Sequence, residues 1–245
     1  MIKPRQRVTT VIWDFDGTLA DTLGRNLEIT RRIVDRLVRG LADRLPALAD
    51  RRSYCRAVHS APNWRQLYAS EFGIPLERTD EAAALWAEFH DQHVDTPPLF
   101  EGIRDVVHQL ASRRQGIVSQ NGHDNIRRAL KPADLLDDFS VIVADEDLPF
   151  ERQKPAPDGL LQCAERLHPR GSQPAHTVLY VGDHPVDIEC TRRAGELLAG
   201  RGNPWRVLSV GVEYGAHEPR SWKQEPDFRA RRPEDVLAFV EELDG

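Results

Sequence analysis

Asp14 and Asp16 flank Phe15 in the stretch WDFDGTLADT, directly after the apolar, β-branched run from Val8 to Trp13. Side chains two apart in extended chain point the same way, so both carboxylates can face one site. Two carboxylates that share a site repel each other; one tends to keep its proton while the other stays ionised. That division suits a nucleophile beside a general acid. Gly17 allows a tight turn in which backbone amides can approach a phosphate oxygen. Asp and Gly are also ordinary turn residues, so the stretch gains its meaning from what accompanies it.

Three other apolar runs end in residues of matching chemistry. Ser119, Gln120 and Asn121 follow Gly116 to Val118; Lys154, with Pro155, lies past Val141 to Ala144; Gly182 and Asp183 follow Thr177 to Val181, with Asp187 four residues further. Open parallel sheets bind ligands outside the carboxyl ends of their strands, which would bring these residues to one crevice. Asp14, Asp16, Asp183 and Asp187 together with a phosphate ester make an excess of negative charge. A hard divalent cation with oxygen ligands relieves it, and magnesium suits carboxylate, phosphate and water. Lys154 adds a point charge, and Ser119 a small hydroxyl donor for phosphate. Ser119 and Asn121 could instead cap a helix starting near His123.

These positions need a scaffold of alternating strands and helices. The runs above, with Val207 to Val212, read as buried strands. Helical spacing joins Ile103, Val106, Val107 and Leu110, then Leu160, Leu161, Ala164 and Leu167. Pro233 to Leu243 reads as a C-terminal helix with Val236, Leu237, Val240 and Leu243 on one face. The expected fold is α/β: a doubly wound parallel sheet, a Rossmann-like core, over residues 1–21 and 96–245. From 22 to 95 four or so helical patterns follow without a strand, as in Ala82, Leu85, Trp86, Phe89 and His93, and this block is expected to be an inserted all-helical cap domain. Pro97 and Pro98 mark the return to the sheet.

With 245 residues, 40% hydrophobic and 29% charged, the chain can bury a full core and a smaller second module. The net charge of -6 offers no footprint for nucleic acid, and short Arg clusters read as solvated surface. No run reaches the roughly 18 apolar residues of a membrane span, and MIKPRQRVTTVIW lacks signal-peptide features; the expected place is the cytoplasm. Cys55, Cys163 and Cys190 match no metal-binding spacing and are expected to be reduced.

In these features the sequence resembles the haloacid dehalogenase superfamily. Its DxDGT motif matches Asp14 to Thr18, its second-motif Ser or Thr matches Ser119, its lysine matches Lys154 in QKPAPD, and GDxxxD matches Gly182 to Asp187. LFEGI at 99 to 103, GVEYG at 211 to 215 and Pro226-Asp227 look most like the phosphoglycolate phosphatase branch with a helical cap. The resemblance implies that Asp14 attacks phosphorus to form an aspartyl phosphate while Asp16 protonates the leaving alcohol and later activates water. It implies magnesium held by Asp14, Asp183 and the backbone carbonyl of Asp16, with Asp187 supporting the metal waters or Lys154. Asp16 separates the chain from the dehalogenases, which carry Tyr there, and from the phosphonate-cleaving branch, which carries Ala.

The expected substrate is a small-molecule phosphate monoester: phosphoglycolate, a sugar phosphate or a nucleotide. A β-phosphoglucomutase-type phosphomutase shares every motif, and a non-catalytic binding protein could retain the fold. The second motif reads SQNG, so either Gln120 or Asn121 could support phosphate binding. Arg56, His59, Asn63, Trp64 and Arg65 of the helical block are candidates for reading the substrate. His184 reads as a supporting or exposed histidine with a possible substrate contact, and His90 with His93 as solvated surface rather than a metal pair. Leu198 to Trp205 looks like an insertion.

Overall fold

Six parallel strands form one sheet in the order β3-β2-β1-β4-β5-β6: β1 (Val8–Trp13), β2 (Arg114–Val118), β3 (Val141–Val143), β4 (Thr177–Gly182), β5 (Arg206–Val212) and β6 (Phe228–Ala230). The computed structural model describes residues 7–92, 96–168, 175–215, 222 and 224–245. Side chains alternate across the sheet as the pleat requires. Val11, Trp13, Ile117, Ile142, Leu179 and Val181 pack on one face with α5 (Ile103–Gln109), α6 (His123–Leu130) and α9 (Asp235–Asp244). Ile12, Val118, Val141, Val143, Val178 and Tyr180 pack on the other with α7 (Asp158–Leu167) and α8 (Pro185–Gly200). Burial on both faces explains the near-continuous apolar runs. This is the expected doubly wound α/β core.

The contacts divide the chain into two compact units. The sheet unit takes the residues up to Asp21, Pro98–Gly215 and the C-terminal segment; Thr22–Pro97 forms a second unit. Among its described residues the second unit contains four α-helices, α1 (Leu23–Leu37), α2 (Arg51–Ser60), α3 (Trp64–Ser70) and α4 (Thr79–Gln92), and no strand. Its own core gathers Ile29, Ile33, Leu48, Phe72, Ile74 and Ala82, none more than 1% exposed. His90 is buried there rather than solvated, and His93 lies outside the described residues.

Two readings of local structure change. β6 adds a strand beyond the five read from the sequence. Of Leu198 to Trp205, Leu198 to Gly200 belong to α8, so only residues 201–205 lie between helix and strand, and Trp205 stands just ahead of β5 against two histidines. His168 and His176 are buried and stacked, ring centroids 3.6 Å apart, with Trp205 edge-on at 5.5 and 5.0 Å. Thr10 Oγ1 lies 2.5 Å from His168 Nε2. Burial, then His176 and Arg114, pushes His168 down to about 4. Burial and Arg114 lower His176 as well.

A histidine kept neutral in the fold protonates first in the unfolded chain. Between about pH 6.5 and pH 4 the unfolded state therefore binds more protons, and stability falls as the pH falls. Solvent screening limits the loss to roughly 1–2 kcal/mol between about pH 7 and pH 5. Urea midpoints should record it, and His168→Gln should flatten most of that slope. An unchanged slope in the variant would contradict the account.

Candidate active site

The carboxyl ends of the adjacent strands β2, β1 and β4 build the centre. Asp14 continues β1, its N–H donating to Val181 O at 2.8 Å, and Ser119 continues β2, its N–H donating to Val143 O at 3.0 Å. Asp183 follows β4. Beyond Asp14 the chain folds back on itself: the N–H groups of Leu19 and Ala20 both donate to Phe15 O at 3.0 Å, and Gly17 N–H donates to Ala20 O at 2.9 Å. Gly17 holds φ +75°, and a Cβ there would come within 2.5 Å of the Asp183 carboxylate. Glycine is thus required both by its conformation and by the approach of the β4 loop.

Lys154 ties the centre together. Its Nζ lies 2.8 Å from Asp14 Oδ1 and 2.7 Å from Asp187 Oδ1, with all three groups buried. Tyr180 of β4 places its hydroxyl 3.3 Å from the same Asp187 oxygen and 3.1 Å from Val118 O. The other Asp187 oxygen accepts from His184 N–H at 2.9 Å. His184 caps α8, its Nδ1 accepting from Val186 N–H at 3.1 Å, so Asp187 and His184 fasten the start of that helix reciprocally.

Charge and burial compete here. Burial pushes the Asp14 carboxyl well above its ordinary value; Lys154 opposes this, while Asp187 and Asp183 reinforce it. For Lys154, burial favours loss of the proton, but Asp14 and Asp187 outweigh it and hold the ammonium well above the usual lysine value. One carboxylate oxygen each of Asp14, Asp183 and Asp187 lies within 4.8 Å of the others, close enough to gather about one ion. Hard oxygen donors of this kind fit magnesium. Both Asp187 oxygens already carry hydrogen-bond partners, which suits it to fixing Lys154 more than to ligating a metal.

Asp16, half-buried, faces Asn121, whose Nδ2 lies 3.0 and 3.3 Å from its two carboxylate oxygens. Ser119 Oγ accepts from Asn121 N–H at 3.1 Å. Gln120 is exposed and turns away, its Nε2 donating to Gln153 Oε1 at 3.2 Å. Of the two side chains left open by SQNG, Asn121 is the one in contact with Asp16. Tyr180 and Asn125 were not singled out in the sequence. A polar Tyr in an otherwise apolar buried strand was the available signal for the first.

The candidates for reading the substrate lie in the second unit and have partners within it. Asn63 caps the helix Trp64–Ser70, accepting from Gln66 N–H at 3.0 Å. Arg65 lies over the Trp64 ring at 4.5 Å and pairs with Asp80 at 2.8 Å. Arg56 Nη2 donates to Ser53 Oγ at 3.2 Å, and His59 Nδ1 lies 3.6 Å from Cys55 Sγ.

A family model described as haloacid dehalogenase-like hydrolase matches residues 11–199, a span that holds every residue of the centre described above. The chain belongs to this family and is a hydrolase. Among curated proteins it is 29% identical to a phosphoglycolate phosphatase of Synechococcus elongatus, over 95% of this chain and 97% of that one. It is 26% identical to pyrophosphatase PpaX of Listeria monocytogenes, over 96% and 97%. The fold is shared with a Lactobacillus plantarum protein provisionally named a phosphoglycolate phosphatase, with TM-score 0.74 and 20% identity over 95% of this chain and 99% of that one. No described helix is long and apolar enough to cross a membrane.

Proposed function

We propose that the protein is a magnesium-dependent phosphatase acting on small-molecule phosphate monoesters, with Asp14 as nucleophile. The observation that carries this reading is the buried contact of Lys154 with Asp14 and Asp187 beside Asp183. Such a centre can orient a carboxylate toward phosphorus while supplying positive charge to the transferring group. Lys154 holds Asp14 Oδ1, which leaves Oδ2 for attack. The bond from Asp14 to phosphorus forms as the ester bond breaks, and Asp16 gives its proton to the departing oxygen. Water then attacks the aspartyl phosphate and passes its proton to Asp16, and phosphate leaves Asp14. Asp187 and Tyr180 keep Lys154 in place, and Ser119 donates to a phosphate oxygen. Magnesium held by Asp14 and Asp183 would neutralise charge on the phosphate. The second unit, as a cap domain, would read the remainder of the substrate.

Hydrolysis is favoured over phosphomutase chemistry by the names of the two curated relatives, a phosphatase and a pyrophosphatase. Purified protein with magnesium should release phosphate from at least one member of a panel of phosphoglycolate, sugar phosphates, nucleotides and pyrophosphate. EDTA should stop the release and added magnesium restore it. Isomerised sugar phosphate without free phosphate, followed by phosphorus NMR, would point to the mutase instead. A fully inactive panel would favour a binding protein.

A further inference from the structure

Asn121 is held from both ends. Its Oδ1 accepts from Gly122 N–H at 2.8 Å and from Asn125 Nδ2 at 2.9 Å, while its Nδ2 reaches both oxygens of Asp16 at 3.0 and 3.3 Å. Those partners fix the orientation of the amide. Turned over, it would set its amino group against two donors and its oxygen against a carboxylate. Asn125 comes from the first turn of α6, so a regular element anchors the far end of the chain of contacts.

We infer that Asn121 is the positioning residue for proton transfer, holding the Asp16 carboxyl where it can reach the leaving-group oxygen. The inference rests on the phosphatase reading above and deepens it. Asp16 projects from a turn, and a proton passes efficiently only when donor and acceptor come within about 2.6–3.2 Å. An amide that bridges both carboxyl oxygens restrains rotation of the group while leaving lone pairs for the proton. Asn121 itself exchanges no proton. It acts through Asp16, and Asn125 acts through Asn121.

Leaving-group dependence separates this role from a general structural one. An alkoxide is a poor leaving group and needs the proton as its bond to phosphorus breaks; p-nitrophenolate is a stable anion and needs it far less. The measured quantity is kcat/KM, which reports the steps up to departure of the leaving group. In Asn121→Ala the loss on glycerol phosphate should exceed the loss on p-nitrophenyl phosphate by at least about tenfold. Asn125→Ala should show the same asymmetry, reduced to roughly threefold, because Gly122 still holds the amide. If Asn121→Ala does not fold, Asn125→Ala decides the matter. Equal losses on the two esters in an otherwise active enzyme would overturn the inference alone. A wild-type protein that hydrolysed neither ester nor any other phosphate ester would overturn the phosphatase reading and this inference with it.

Discussion

Asp14→Asn should lower kcat by about 10⁴-fold or more while leaving the protein folded. The amide keeps the shape of the carboxyl group and loses the charge and nucleophilicity on which attack depends. Stability should change by no more than about 1 kcal/mol, because two effects oppose each other. Lys154 loses one partner but keeps Asp187 at 2.7 Å. Asp187 and Asp183 meanwhile lose a like-charged neighbour. Phosphate release with magnesium present, alongside a denaturation curve, checks both halves. A variant with more than a tenth of wild-type turnover would remove Asp14 from the nucleophile's role.

Lys154→Met is expected to damage stability and activity together. Lys154 is 8% exposed, and its ammonium touches two buried carboxylates. Without it those charges stay buried uncompensated, at a cost of about 3–5 kcal/mol. Loss of a charge directed at the transferring phosphoryl group should lower kcat by roughly 10³-fold. The deficit should depend on pH in a definite direction. Burial raises Asp14 above its ordinary value, and removing Lys154 takes away the group that restrains this. The folded variant then keeps a proton at pH values where the unfolded chain has already released it, so its stability deficit should be smaller near pH 5 than near pH 8. Magnesium should raise the variant's urea midpoint more than that of the wild type, since a cation replaces the missing charge. Wild-type stability near pH 8 without magnesium would refute the account.

The core was legible because several informative polar residues stand directly after apolar runs, as Asp14 does after Trp13, Ser119 after Val118 and Asp183 after Gly182. β6 was not. Phe228–Ala230 is three residues long with an arginine at its centre, too short for alternation to register, and it exists through pairing with Val210–Val212. Leu198 to Gly200 read as part of an insertion because Gly200 and Gly202 look like loop, while the helix continues to the first of them. Within SQNG no local rule says which side chain turns inward. Only the sheet register and α6, which supplies Asn125, put Asn121 against Asp16 and Gln120 outside. His168 and His176 were hidden for a related reason: their stacking joins the end of α7 to the start of β4, a proximity with no sequence pattern.

β1 occupies the middle of the sheet, yet its neighbours β2 and β4 begin roughly a hundred and a hundred and seventy residues after it starts. During synthesis the strand bearing Asp14 therefore emerges with both edges open and waits for partners made much later. Its second edge is covered only when β4 appears, and the same segment brings Tyr180, Asp183 and Asp187. Covering of the second edge of β1 and completion of the charged centre are consequently one event in the life of the nascent chain. A ribosome-stalled fragment ending before β4 should present an exposed apolar strand to chaperones and have no site at which to bind phosphate.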